Sequence, residues 1–212
     1  MFVSAVIPAY NEEHTIADIV TVLKMVPEIK EIIVVSDGSC DNTPYEARRA
    51  GARVIELAEN MGKGGAMMIG ANSAKYGIIL FLDADLVGLT TNHVKSLIYP
   101  IILNEAEMTI GIFEGGRFAT DLAQMVAPYL SGQRALRKEL LTKMNNLEAS
   151  RFGVEVALTW YAEKHHVRVQ EIDLAGMTHV MKEEKLGLAK GLAARMKMYW
   201  EIAKVVKKNI HH

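Results

Sequence analysis

Cysteine is almost absent from this sequence of 212 residues, which contains a single one, Cys40. One cysteine forms no intramolecular disulfide, and this usage is typical of a reducing, cytoplasmic compartment. The chain also lacks a large excess of charge of either sign. Its 24 basic residues nearly balance 25 acidic ones, and the formal net charge is -1. This balance argues against a nucleic acid partner, which a strongly basic chain would favour.

Long apolar runs and a secretion leader are also missing. All apolar runs are shorter than the roughly 20 residues that a membrane-spanning helix needs. Met1 to Ser4 lead directly into an apolar pattern without a basic region, so we expect no signal peptide. No repeat, low-complexity tract or Pro/Gly/Ser-rich linker divides the chain, and 50% of its residues are hydrophobic. We therefore expect a single domain over residues 1–212.

Short β-branched runs alternate with helical patterns over the first half of the chain. The predicted strands cover residues 5–7, 32–35, 53–57 and 78–82, and the predicted helices cover residues 12–25, 43–50 and 64–75. The strand runs are continuously apolar, which indicates strands buried on both faces. The pattern predicts an α/β fold with a mostly parallel sheet, right-handed crossovers and flanking helices.

The second half of the chain is less regular. Its predicted strands cover residues 108–112 and 167–172, and its predicted helices cover residues 92–103, 120–129 and 153–164. From about Leu186 to Ile210, apolar residues recur at i, i+3/i+4 and lysines lie mainly on the other side, which predicts a C-terminal amphipathic helix. We interpret it as a helix packed on the core, with docking to a membrane surface or a partner as the alternative.

Polar, glycine-bearing segments follow the predicted strands. Ligands of open parallel sheets bind beyond the carboxyl ends of the strands, so these segments are expected to carry the chemistry. Asp83 and Asp85 stand at i and i+2 directly after an apolar strand, where carboxylates are costly unless a cation or hydrogen bonds compensate them. Such an oxygen cluster suits Mg²⁺ or Mn²⁺ bridging a diphosphate. Two solvated loop aspartates are the alternative interpretation.

These segments together resemble a known family. PAYNEE follows the first strand, VVSDGSCDNT spans the end of the second, NMGKG follows the third and FLDAD ends the fourth. In order and spacing they resemble the family 2-like glycosyltransferases with the GT-A fold, over most of the first hundred residues. The resemblance implies a Rossmann-like GT-A domain. Its first part, about residues 1–112, would bind a nucleotide-sugar, with a UDP-sugar favoured, and its second part, about 113–212, would bind the acceptor.

The same resemblance implies roles for individual residues on the donor side. These are Pro8, Ala9 and Glu12 for the base and ribose pocket, Asp37 for a hydrogen bond from a base N–H, Lys63 for the base or the phosphates, and Asp83 with Asp85 for ribose and metal. Glu12 has a structural alternative, since an acidic residue in the first turn of a helix is favoured by the helix dipole.

Motifs of the second half narrow the resemblance. GGRFAT, SGQR, GVE and DLAGMTH are similar to segments of the glucosyl-3-phosphoglycerate synthases. The similarity implies that Arg117 and Thr120 bind the phosphate and carboxylate of a small phosphorylated acid, that Glu155 lies at the acceptor site, and that His179 completes the metal shell. SGQRA equally resembles polyprenyl-phosphate sugar transferases. A lipid phosphate would then bind Arg117 or Arg134, with peripheral contact to the inner face of the membrane.

The predicted reaction breaks the anomeric C–O bond through an oxocarbenium-like state. A divalent ion would neutralise the departing diphosphate, with Lys63 or Arg134 supporting the leaving-group charge. Similarity to the phosphoglycerate enzymes favours retention of configuration, and Glu155 is the candidate base for inversion. Alternatives from other classes are a non-catalytic nucleotide-sugar-binding protein and a sugar-phosphate nucleotidylyltransferase. Assembly as a homodimer is a further hypothesis.

Overall fold

The computed structural model describes residues 1–113, 131–143 and 154–179. The strands are β1 (Val3–Ala9), β2 (Ile29–Asp37), β3 (Arg53–Leu57), β4 (Ile78–Phe81), β5 (Leu86–Val87), β6 (Met108–Phe113), β7 (Arg134–Arg137), β8 (Val169–Leu174) and β9 (Thr178–His179). The helices are α1 (Ile16–Lys24), α2 (Thr43–Ala50), α3 (Gly62–Ser73), α4 (Thr91–Ile102), α5 (Lys138–Lys143) and α6 (Val154–Lys164).

Seven strands form one sheet in the order β3-β2-β1-β4-β7-β6-β8. The pairs β1–β2, β1–β4, β2–β3 and β6–β8 are parallel, whereas β7 runs antiparallel to both β4 and β6. β5 and β9 form a separate antiparallel pair. The predicted α/β architecture with a mostly parallel sheet is therefore confirmed. The loops after β1, β2, β3 and β4 lie at the same edge of the sheet.

Apolar side chains cover both faces of the sheet. On β1, Ile7 packs in one core with α1, α2 and α4, whereas Val6 points to the other core with α3, α5 and α6. Successive strand residues alternate between faces, and here both faces are buried. The central strands β1, β2 and β4 consequently contain continuous apolar runs, which explains why they could be recognised from the sequence.

Two of the differences from the sequence prediction lie close to the candidate site. The first helix begins at Ile16 instead of residue 12, and the backbone N–H groups of Glu12 and Glu13 donate to the side chains of Thr43 and Asp41. β7 was not predicted as a strand. Its sequence, RALR, is short and places an arginine at each end, so it lacks the apolar run that marks the other central strands.

Several predicted features lie outside the described residues. The helix over residues 120–129 and the C-terminal amphipathic helix belong there, as do Arg117 and Thr120. In the part of the chain that the structure describes, no helix is both long enough and apolar enough to cross a membrane.

Helix α3 packs closely on the sheet at Gly70. A Cβ added at this position would lie 2.4 Å from Val6 Cγ1 and 3.0 Å from Val35 Cγ2. We expect Gly70→Ala to lower the free energy of unfolding by about 1–3 kcal/mol, since overpacked cores shift side chains and backbone. The measurement is urea unfolding beside Gly77→Ala, where an added Cβ meets nothing within 4 Å. Equal midpoints for the two variants would contradict the prediction.

Candidate active site

The loops that follow β1 and β2 are joined by reciprocal hydrogen bonds. Asn11, with a left-handed φ of 55°, donates its N–H to Ser39 Oγ (3.2 Å) and accepts from the Cys40 N–H at Oδ1 (2.9 Å). Glu12 N–H donates to Thr43 Oγ1 at 2.8 Å. Asparagine tolerates the left-handed conformation better than most residues. The two loops therefore form one connected wall at the carboxyl edge of the sheet.

The loop after β3 is attached to the end of β2 through Asp37. The Asp37 side chain is buried, and its Oδ1 accepts from the Met61 N–H at 2.7 Å. The Asp37 carbonyl accepts from Asn60 Nδ2 at 3.1 Å. Gly38, at φ 70°, allows this approach, because a Cβ there would lie 3.0 Å from Asn60 N.

The residues predicted for the base and ribose pocket lie next to Asp37. In the sheet register, Pro8 and Ala9 are opposite Val35 and Ser36, which directly precede Asp37 on β2. The structure therefore gathers Pro8, Ala9 and Asp37 at one edge of the sheet, beside the wall that contains Glu12.

Lys63 joins two carboxylates that are far apart in the chain. Its Nζ lies 2.6 Å from Asp83 Oδ1 and 2.8 Å from Glu155 Oε1. Lys63 comes from the first turn of α3, and Glu155 comes from the first turn of α6. Desolvation opposes the ammonium charge, but the charges of Asp83 and Glu155 outweigh it and raise the pKa of Lys63 above its ordinary value. Lys63 is therefore a cation held between a carboxylate of the predicted donor motif and a carboxylate of the predicted acceptor motif.

The segment before β7 lies directly against Asp83. Gln133 is fully buried, its Oε1 accepts from the Asp83 N–H at 3.0 Å, and its Nε2 donates to Asp83 Oδ2 at 3.1 Å. A Cβ on Gly132 would lie 2.4 Å from Asp83 Oδ1 and 2.5 Å from Lys63 Nζ. Gly132 and Gln133 belong to the SGQR motif, but the motif by itself predicts no individual role for them. The signal that was present is a polar, glycine-bearing segment beside a strand.

Arg134 occupies the layer beneath these groups. It has 0% exposure; its Nε donates to the Ser131 carbonyl and its Nη1 donates to Thr159 Oγ1, both at 2.8 Å. Thr159 Oγ1 in turn donates to the Glu155 carbonyl at 3.0 Å. Burial lowers the pKa of Arg134 to about 10, opposed by the charges of Glu155 and Asp83, so the guanidinium stays protonated at neutral pH. The predicted leaving-group cation thus lies under the site, without exposed surface.

Asp85 lies in the turn that leads from β4 to β5. The carbonyl of the preceding residue, Ala84, accepts from Thr15 Oγ1 at 2.5 Å, which ties this turn to the start of α1. The following residue, Leu86, pairs with His179 in the β5–β9 ladder. The backbone of His179 is therefore brought beside the Asp83–Asp85 turn. Carboxylate oxygen and imidazole nitrogen are donors that suit Mn²⁺ and, for the oxygens, Mg²⁺.

Residues 4–154 match the model of the family described as Glycosyl transferase family 2. The chain belongs to glycosyl transferase family 2. The resemblance inferred from the motifs is thereby confirmed, and the matched range includes every described residue of the site named above except Thr159, Glu155 and His179.

Two curated relatives of this family 2 member differ in how much of it they match. Glucosyl-3-phosphoglycerate synthase of Mycobacterium tuberculosis (strain ATCC 25618 / H37Rv) is 28% identical over 193 residues, covering 74% of this chain and 59% of that protein. The chain thus spans less than two thirds of that relative. Dolichyl-phosphate beta-glucosyltransferase of Drosophila melanogaster is 42% identical over 98 residues, covering 39% of this chain and 30% of that protein.

A solved structure agrees with the fold. The crystal structure of glucosyl-3-phosphoglycerate synthase from Mycobacterium tuberculosis in complex with Mn²⁺, UDP-glucose and phosphoglyceric acid superposes with a TM-score of 0.74 at 26% identity, covering 88% of this chain and 74% of that one. The GT-A expectation for this family 2 member is therefore confirmed.

Proposed function

We propose that this chain is a metal-dependent glycosyltransferase. Its donor would be a nucleotide-diphosphate sugar, UDP-glucose or a similar compound, and its acceptor a small phosphorylated acid like phosphoglycerate. The observation that carries the proposal is the cluster at the carboxyl edge of the sheet. There Lys63 lies 2.6 Å from Asp83, in the donor motif, and 2.8 Å from Glu155, in the acceptor motif. A transferase must hold its donor and its acceptor side by side. The ion pairs of Lys63 bring the two motifs that would bind them together.

The proposed cofactor is a divalent ion, for which the two carboxylates after β4 are suitable oxygen donors. Asp85 would be the principal ligand, with Asp83 and His179 completing the site. Asp83 and Asp85 lie in the turn after β4, and His179 lies on β9, which pairs with β5 directly after that turn. When bound, Mg²⁺ or Mn²⁺ would act as a Lewis acid that neutralises the diphosphate. The solved relative contains Mn²⁺ together with UDP-glucose, which supports this choice of cofactor and donor.

The donor would lie across the strand ends, between the loops already described. Pro8, Ala9 and Glu12 would line the base and ribose pocket, and Asp37 would accept from a base N–H. Lys63 would turn from the carboxylates to the phosphates as these enter. Arg134, fixed beneath the site, would contribute positive potential without touching the leaving group. Charges preorganised in a water-excluded site stabilise a transition state without a reorganisation cost.

The acceptor would lie on the Glu155 side of the cluster. Glu155 would contact its hydroxyl, while Arg117 and Thr120 would bind its phosphate and carboxylate; we propose transfer with retention of configuration. A polyprenyl phosphate is the second candidate acceptor, because the dolichyl-phosphate enzyme reaches 42% identity. That match covers only 39% of this chain. The 74% covered by the phosphoglycerate enzyme favours the small acid.

Calorimetric titration tests the donor site directly. With Mn²⁺ present, UDP and UDP-glucose should bind at least about tenfold more tightly than in EDTA, a difference of about 1.4 kcal/mol. GDP should bind more weakly than UDP under the same conditions, because the proposed pocket recognises the uracil edge. Absence of binding by either nucleotide, with or without metal, would contradict both the transferase and the non-catalytic nucleotide-sugar-binding alternative.

A transfer assay then identifies the acceptor. UDP-[¹⁴C]glucose and Mn²⁺ are incubated with 3-phosphoglycerate in one reaction and with a polyprenyl phosphate in detergent in another. We expect label in the anionic, water-soluble product of the first reaction only. Label that partitions into the organic phase of the second reaction would instead establish the lipid acceptor.

A further inference from the structure

Gln133 uses both ends of its side-chain amide on a single residue. Oε1 accepts from the Asp83 backbone N–H at 3.0 Å, and Nε2 donates to the Asp83 carboxylate at 3.1 Å. The orientation of the amide follows from chemistry. A backbone N–H only donates, so Oε1 must face it and Nε2 must face Oδ2. Gln133 therefore fixes the backbone and the carboxylate of Asp83 relative to each other.

Lys63, Gln133 and Gly132 all lie against the Asp83 carboxylate, and they differ in rigidity. Lys63 reaches Oδ1 with a long side chain that is 40% exposed. Gln133 has 0% exposure and starts from the residue before β7, a strand in the middle of the sheet. Gly132 presents bare backbone on the same side. When phosphates draw Lys63 away, the buried Gln133 amide still holds the carboxylate in place.

The position of Gln133 requires an acceptor for the Asp83 N–H and a donor to Asp83 Oδ2, and an amide side chain supplies both. A glutamate would keep the acceptor for the Asp83 N–H but would place a second carboxylate against Oδ2, which is repulsive in a buried setting. A methionine would keep the approximate length and lose both hydrogen bonds. The requirement is thus for one acceptor and one donor at fixed spacing.

We propose that Gln133 is a positioning residue that orients Asp83 for the divalent ion, and so determines how tightly the nucleotide binds when the metal is present. The inference rests on the proposed function, because it takes metal and nucleotide as the ligands. Partners that orient metal-site carboxylates typically contribute about 10–100-fold to affinity.

The test compares Gln133→Met with Thr109→Val. Thr109 is also fully buried, on β6, where its Oγ1 donates to the Leu97 carbonyl (2.7 Å) and accepts from the Ala135 N–H (3.3 Å). Each variant loses two buried side-chain hydrogen bonds. The two bonds of Gln133 go to Asp83, whereas the two bonds of Thr109 go to residues outside the site. Calorimetry with UDP, in Mn²⁺ and in EDTA, and the Tm are measured for each.

We expect Gln133→Met to weaken Mn²⁺-dependent UDP binding about 10–100-fold while binding in EDTA changes less than about twofold. Thr109→Val should lower the Tm and leave both affinities unchanged. If Gln133 had only a structural role, Gln133→Met would lower the Tm without weakening UDP binding more in Mn²⁺ than in EDTA. Equal affinity of Gln133→Met and wild type in Mn²⁺, or an equal loss in Mn²⁺ and in EDTA, would overturn the proposal.

Two further measurements distinguish a failure of the positioning role from a misfolded variant and from a failure of the proposed function. If Gln133→Met does not fold, Gln133→Glu replaces it, with the same loss expected in Mn²⁺ and the same results overturning the proposal. If the wild-type protein itself shows no Mn²⁺-dependent UDP binding, the proposed function fails and this inference falls with it. Wild-type binding with no loss in the variants overturns the positioning role alone.

Discussion

Asp85→Asn is expected to remove the metal dependence of nucleotide binding and to lower kcat/KM by roughly 10²–10³-fold. Asparagine keeps the size of the side chain but loses the charge that a divalent cation requires. Asp85 immediately precedes Leu86, the residue that pairs with His179, so the substitution acts where the proposed metal ligands meet. Initial rates with UDP-glucose and Mn²⁺, together with UDP calorimetry, measure the effect.

Asp18→Asn is the matched control for this experiment. Asp18 is an exposed aspartate in the first turn of α1, so the variant makes the same chemical change away from the site. Its kcat/KM and UDP affinity should equal those of the wild type. Undiminished turnover of Asp85→Asn would rule out the metal-dependent mechanism.

Gly132→Ala is expected to lower kcat/KM by about 10²-fold while the protein stays folded, since displacing a reacting group by about 1 Å has an effect of that size. The added Cβ would lie 2.4 Å from Asp83 Oδ1 and 2.7 Å from Asp83 Oδ2. Lys63 can swing away from the new methyl group, but Asp83 is short and is held by Gln133. The carboxylate must therefore shift. Steady-state kinetics and the Tm measure the two effects.

Gly77→Ala provides the comparison for Gly132→Ala. An added Cβ at Gly77 meets nothing within 4 Å, and replacing glycine where the backbone permits it stabilises a protein by about 0.4–1 kcal/mol. We expect wild-type kinetics and an unchanged or slightly higher Tm for this variant. Wild-type kinetics for Gly132→Ala as well would show that the site tolerates a displaced Asp83.

Local pattern was sufficient for the half of the fold that lies between β1 and β4. β1, β2 and β4 contain continuous buried apolar runs because both faces of the sheet are covered there. Each strand from β1 to β4 is followed by a polar segment at the carboxyl edge, where ligands of open parallel sheets bind. The sequence therefore predicts Asp37 and Asp83 as candidate site residues from their place at or just after the end of a strand, and that assignment stays a prediction. The bounds of α2, Thr43–Ala50, and of β3, Arg53–Leu57, agree with the prediction.

Only the tertiary structure decided what surrounds Asp83. β7 enters the sheet between β4 and β6 in the antiparallel direction, and that pairing brings Gly132, Gln133 and Arg134 to the site. The ion pairs of Lys63 with Asp83 and Glu155 likewise join three separate elements. Periodicity reports which face of an element is buried, but it carries no information on which elements become neighbours. The strand ends and their chemistry are therefore determined by the sequence locally, whereas the geometry that orients Asp83 arises from long-range strand pairing.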